Sequence, residues 1–167
     1  MSFDAHSKFL LIQSELEKVR SEFLDLLYQI PENAWNRRFP GEGWTAKQEM
    51  CHMAQAVGIL PGGIHRALQG NQKSALAFIP TRIRSWVNGY ILIPAIARKA
   101  TRDSIAKKYA DGHRSLLAIL ETMSEEGWKK GTNYPREYRT VEQIAYRPVE
   151  HFKEHASHLR RVLGMEL

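Results

Sequence analysis

The residues best suited to chemistry lie near the end of the chain, in Val149–Leu163, VEHFKEHASHLRRVL. His151 and His155 stand four apart, and on a helix that spacing puts their Cβ atoms about 5–6 Å from each other on one face. Two imidazoles so placed can share one metal ion with little further ordering. A third donor has to come from elsewhere in the chain, and the best candidate is His52. Three neutral imidazoles leave at least one coordination position open, the pattern of catalytic rather than structural zinc sites. An ion held that way acidifies a bound water toward a pKa of about 7, ready to attack a carbonyl or similar electrophile.

The pair alone does not define a site, because seven histidines placed at random produce one in roughly one chain in four. Its weight comes from the elements around it. Thr45 and Gln48 have the spacing of a capping box, so a helix starts there and carries His52 about two turns in. Met50, Met53 and Val57 surround His52; Val149, Phe152 and Leu159 surround the pair. A buried imidazole without a partner is costly, so three of them in a core need a reason. Thr140 and Gln143 form a second capping box for the last helix, which runs through Ile144, Phe152 and Val162 to a C-terminal stop at Gly164. Pro148 falls inside that helix, and a kink there, one turn before His151, would aim the pair inward.

Two further elements complete a frame. Phe9, Ile12, Leu16, Val19, Phe23, Leu26 and Leu27 recur at intervals of three and four, which predicts a long amphipathic helix over Phe3–Gln29, stopped by Pro31. Ile105, Tyr109, His113, Leu116, Leu117 and Leu120 predict another over Thr101–Met123, weakened at Gly112 by roughly 1 kcal/mol relative to alanine. Between these lie a connector over Pro31–Trp44, anchored by Trp35, Phe39 and Trp44, and a second helix from Thr45 toward Leu60. Pro61-Gly62-Gly63 should break or bend that helix. Residues 64–100 are the least legible; they read as one or two short helices, a lid over one end of the bundle or a surface for a partner subunit. Residues 124–139 read as a polar loop, and no repeat or strand alternation is legible. The expectation is an all-α four-helix bundle, one domain over residues 1–167, with a long crossover between the second and third long helices.

Trp44 to His52, WTAKQEMCH, resembles a signature of the DinB-like superfamily, in which a helix opens on Trp-Ser/Thr and carries a metal-binding histidine eight residues after the tryptophan. Glu150 to His155, EHFKEH, with Leu159 beyond, resembles that family's closing His-x-x-x-His. The order and separation of the two motifs also match, so the resemblance spans most of the chain. It implies a divalent metal on His52, His151 and His155, with zinc or nickel foremost and iron also compatible. Where many relatives have glutamine, this chain has His158, one turn beyond His155; a hydrogen-bonded or solvated role beside the ligands is the expectation, with direct ligation as the alternative. Glu49 and Glu154, each within a turn of a proposed ligand, could orient it or act as a base. The implied function is a metal-dependent enzyme, a hydrolase or a transferase of a low-molecular-weight thiol, acting on a small molecule. The alternative is a non-catalytic stress-response bundle that binds a metal or ligand.

The remaining candidates carry less. Cys51 points about 100° around the helix from His52 and reads as a buried structural thiol. His113 reads as a satisfied core histidine, and His6 and His65 as surface residues. No phosphate-cradling glycine loop and no Gly-x-Ser-x-Gly elbow is present. The formal charge of +6 is spread along the chain without a nucleic-acid-binding motif, so no nucleic-acid partner is expected. The N-terminal residues lack the pattern of a signal peptide, and the most apolar run, Val87–Ala97, is about half the length of a membrane span. These features lead to an expected cytoplasmic location, no membrane association, and a homodimer through the apolar middle segment.

Overall fold

The computed structural model describes residues 3–38, 43–70, 87–134 and 137–165. Helix α1, Phe3–Gln29, has the expected bounds. Its stripe from Phe9 to Leu27 is buried throughout, which sets the orientation of the helix. A short α2, Glu32–Trp35, buries Trp35. Helix α3 spans Ala46–Leu68. A π-helical turn, Asn88–Leu92, runs into α4, Ile93–Lys99, and α5 spans Arg102–Glu121. Helix α6, Glu125–Lys129, and an antiparallel strand pair of β1, Gly131–Tyr134, and β2, Glu137–Thr140, lead into α7, Val141–Leu163.

The four long helices form the bundle. Helices α5 and α7 each pack against both α1 and α3, so α1 and α3 lie diagonally across the core. The crossover between the second and third long helices is present, and α4 is one of the short helices expected in it. Residues 71–86 of that stretch, and Phe39 of the connector, lie outside the described residues. Among the described residues no helix is long and apolar enough to cross a membrane.

Two expectations need correcting. Helix α3 does not end near Leu60; it continues through Pro61 to Leu68. Val57, Leu60, Ile64 and Ala67 extend one buried stripe across the proline, and that burial outweighs the single backbone hydrogen bond Pro61 cannot donate. The described part of 124–139 is not a loop. Ser124 caps α6, which buries Trp128, and β1 pairs antiparallel with β2 from Gly131↔Thr140 to Tyr134↔Glu137. Strands of four residues offer too little alternation to stand out in sequence.

The end of α1 is closed by a residue from a distant element. Its last turn holds no basic side chain, and Arg102 at the start of α5 reaches over instead. The guanidinium donates to the carbonyls of Leu27 and Ile30 at 3.0 and 2.9 Å and to Glu32 at 2.9 Å, and lies 4.1 Å over the Trp35 ring. These contacts satisfy carbonyls that the helix end leaves open. Arg102→Ala should therefore cost about 2 kcal/mol, read as a fall of roughly 4–8 °C in thermal midpoint for a chain of this size. Arg102→Lys should recover only part, since an ammonium lacks the fork that spans both carbonyls. A midpoint unchanged in Arg102→Ala would show that this closure contributes nothing.

Candidate metal centre

The capping box predicted at Thr45 is formed. Thr45 Oγ1 accepts from the Gln48 amide at 3.2 Å, and Gln48 Oε1 accepts from the Thr45 amide at 2.9 Å. It fixes the first turn of α3, so Glu49 and His52, three apart, project from one face. The same motif at Thr140 fixes the start of α7, with contacts of 3.3 and 2.9 Å. Gly164, in the left-handed region at φ 65°, ends that helix. On α7, His151, His155 and His158 follow at intervals of four and three, again one face. The pairs Glu49–His155 and His52–His151 show the two helices passing antiparallel, which brings their faces together.

His52 Nε2 lies 3.0 Å from His151 Nε2. With His155, the three residues each offer one ring nitrogen, and these nitrogens all lie within 4.8 Å of one another. Two donors each about 2.0–2.1 Å from a tetrahedral zinc ion stand about 3.3 Å apart, so the His52–His151 edge, at 3.0 Å, needs only a few tenths of an ångström to open around a shared ion. Burial pushes His52 down to about 4 and His151 down to about 3, and the charges of His155 and Arg147 act in the same direction. Both imidazoles are therefore neutral at pH 7, the charge state a metal ligand requires.

Glu49 supports this face from behind. It is buried, takes the Nδ1–H of His155 on Oε2 at 2.6 Å, and lies 3.0 Å through Oε1 from His158 Nδ1. A carboxylate on Nδ1 fixes the tautomer that leaves Nε2 of His155 as the donor toward His52 and His151. Trp44 closes one side, its ring centroid 4.7 Å from that of His52 and 6.5 Å from that of His155. Its indole N–H donates to the Gly89 carbonyl at 2.8 Å, tying this wall to the π-helical turn. A cleft of about 220 Å³ opens beside the histidines, between Val57, Leu60, Arg147 and Pro148.

The other candidates separate from this centre. Glu154 is exposed and paired with Arg147 at 3.1 Å rather than with a histidine. Cys51 lines a different hollow with Ile96 and Ile105, and burial raises its thiol to about 11. His113 is buried against Glu17 on α1 at 2.9 Å, the satisfied core histidine expected of it. His6 and His65 are exposed. One residue beside the site carries no motif in the sequence: Arg147, although it stands four before His151 and therefore on its face. Trp44, which opens the motif that ends at His52, also forms a wall of the site.

Helices that bring three imidazoles together, backed by a buried carboxylate and beside a small cleft, define a helical-bundle protein with a histidine site of metal-binding type. A model of the DinB superfamily matches residues 15–159, and the chain belongs to that superfamily. Its fold is similar to that of YfiT from Bacillus subtilis, described as a probable metal-dependent hydrolase with an unusual four-helix bundle topology. That match has 17% identity and a TM-score of 0.69, covering 99% of this chain and 91% of the other. A Clostridium difficile 630 protein matches with 13% identity and a TM-score of 0.72, covering 93% and 95%. The mycothiol-dependent maleylpyruvate isomerase matches with 14% identity and a TM-score of 0.68 over 89% of this chain; the match spans only 59% of the isomerase. A search of curated proteins gave no match.

Proposed function

We propose that His52, His151 and His155 hold one divalent metal ion and that the chain is a metal-dependent enzyme acting on a small electrophile, with water or a low-molecular-weight thiol as the nucleophile. The observation that carries this is the convergence of three ring nitrogens within 4.8 Å of one another beside a cleft lined by two of the same residues. When bound, the ion supplies a Lewis acid that lowers the pKa of a water or thiol and polarises the electrophile. Glu49 holds His155 in the ligating tautomer, and the Trp44 ring limits water on one side. The apolar wall at Val57, Leu60 and Pro148 receives the substrate body. A three-imidazole set suits zinc, nickel or iron. The neighbours described as a metal-dependent hydrolase and a mycothiol-dependent isomerase support the two choices of nucleophile.

A non-catalytic metal-binding bundle is the second reading, and it calls for a fourth protein donor. Among the described residues the converging set holds three, which favours catalysis. The proposal includes a cytoplasmic location. The exposed side chains of Val87, Ile91 and Leu92 support a homodimer joined through the crossover.

Metal analysis of the purified chain beside His52→Ala and His155→Ala tests the site. The expected result is about one ion per chain in the parent and near-complete loss in both variants, with helical circular dichroism retained. Metal content unchanged in both variants would remove the site.

A further inference from the structure

We propose that the cleft beside the histidines takes a small molecule with an anionic group on an apolar body, and that Arg147 is the specificity residue that seats the anion. This rests on the metal-site reading only in treating the cleft as the substrate's. Val57, Ile59, Leu60 and Pro148 make its walls apolar, and Arg147 is the one formal charge among its described lining residues. An arginine in such a wall is costly to bury unless its donors are used. Its outer edge is used: Nη1 donates to Glu150 and Glu154 at 3.2 Å each, and Nη2 to Glu154 at 3.1 Å. A guanidinium carries five N–H donors, so two remain for a ligand beyond these described contacts.

The two glutamates do not cancel the charge on the cleft side. Their side chains are 51% and 59% exposed, against 26% for Arg147, so water screens them more than it screens the arginine. They hold the guanidinium plane in place, and a planar fork fixed beforehand matches a carboxylate through two parallel hydrogen bonds. The ligand class is therefore a small carboxylate or similar oxyanion with an aromatic or aliphatic body, its reacting end toward His52 and His151.

Calorimetric titration of the full chain with phenylacetate and with phenylacetamide, which differ in charge and little in shape, tests this. Metal-loaded and chelator-treated protein are both used, because a carboxylate can also bind the ion. The parent should bind phenylacetate about 10-fold or more tighter than the amide in both preparations. Arg147→Gln should abolish the difference, and Arg147→Lys should restore part of it. A preference that persists in Arg147→Gln, or no preference in the parent, overturns the proposal. Metal content measured on the same samples decides the metal site separately: a chain that never binds metal refutes that reading, and the chelator-treated titrations still decide the role of Arg147.

Discussion

Replacing Gly112 with alanine should destabilise the fold, although alanine is the better helix former by roughly 1 kcal/mol. A Cβ at this position would stand 2.9 Å from both the Cα and the amide nitrogen of Gly58 and 3.2 Å from the carbonyl carbon of Val57. All three are backbone atoms of α3, so no side chain can swing aside and the helices themselves must part. Overpacking of this kind costs about 1–3 kcal/mol, a drop of roughly 2–12 °C in thermal midpoint at this chain length. Gly58 supplies the control. A Cβ there meets nothing within 4 Å, so Gly58→Ala should hold or raise the midpoint. If both variants melt with the parent, the α3–α5 crossing is looser than its geometry implies. The crossing matters to the site because Gly58 lies about 9 Å along α3 from His52. Helix α3 is thus held by α5 on one side and presents its histidine to α7 on the other.

Gly112 also shows what was and was not legible in the sequence. A period of three and four identifies which residues face a core, and α1 emerged from it with its full extent. The capping boxes at Thr45 and Thr140 were equally plain, since both of their partners are local. Gly112 was recognised as a weak point of its helix, but its purpose depends on Gly58, which a one-dimensional pattern does not place beside it. Pro61 misled for the same reason: the local rule for proline was right about the missing hydrogen bond and silent about the stripe that carries α3 past it. The convergence of His52 with His151 and His155 could be expected because each lies on a capped helix whose buried face is readable. Arg147 could have been found by extending the His151 spacing one turn back. Nothing local joins Trp44 to Gly89, a contact between the connector and the crossover.

The largest effect expected at the candidate metal centre, apart from loss of a proposed ligand, belongs to Glu49. Its side chain is 8% exposed and holds two imidazoles, with Nδ1 of His155 at 2.6 Å and Nδ1 of His158 at 3.0 Å. Glu49→Gln keeps the size but removes the charge, and its amide can offer an oxygen to only one of the two rings while turning N–H donors toward the other. His155 then loses the partner that sets its tautomer and raises its basicity, so metal affinity should fall about 10–100-fold. Glu49→Ala should lose as much affinity and also lower stability, because buried imidazole donors are left without an acceptor, at about 1–3 kcal/mol. His158→Ala separates positioning from ligation. His158 shares the carboxylate without belonging to the converging three, so its removal should change affinity far less than Glu49→Gln does. Competition titrations with a metal-binding dye, run at one pH on these three variants and on His155→Ala, measure these differences. Affinity unchanged in Glu49→Gln would mean that packing of α3 against α7 orients His155 and that the carboxylate does not; a loss in His158→Ala equal to that in His155→Ala would make His158 a ligand.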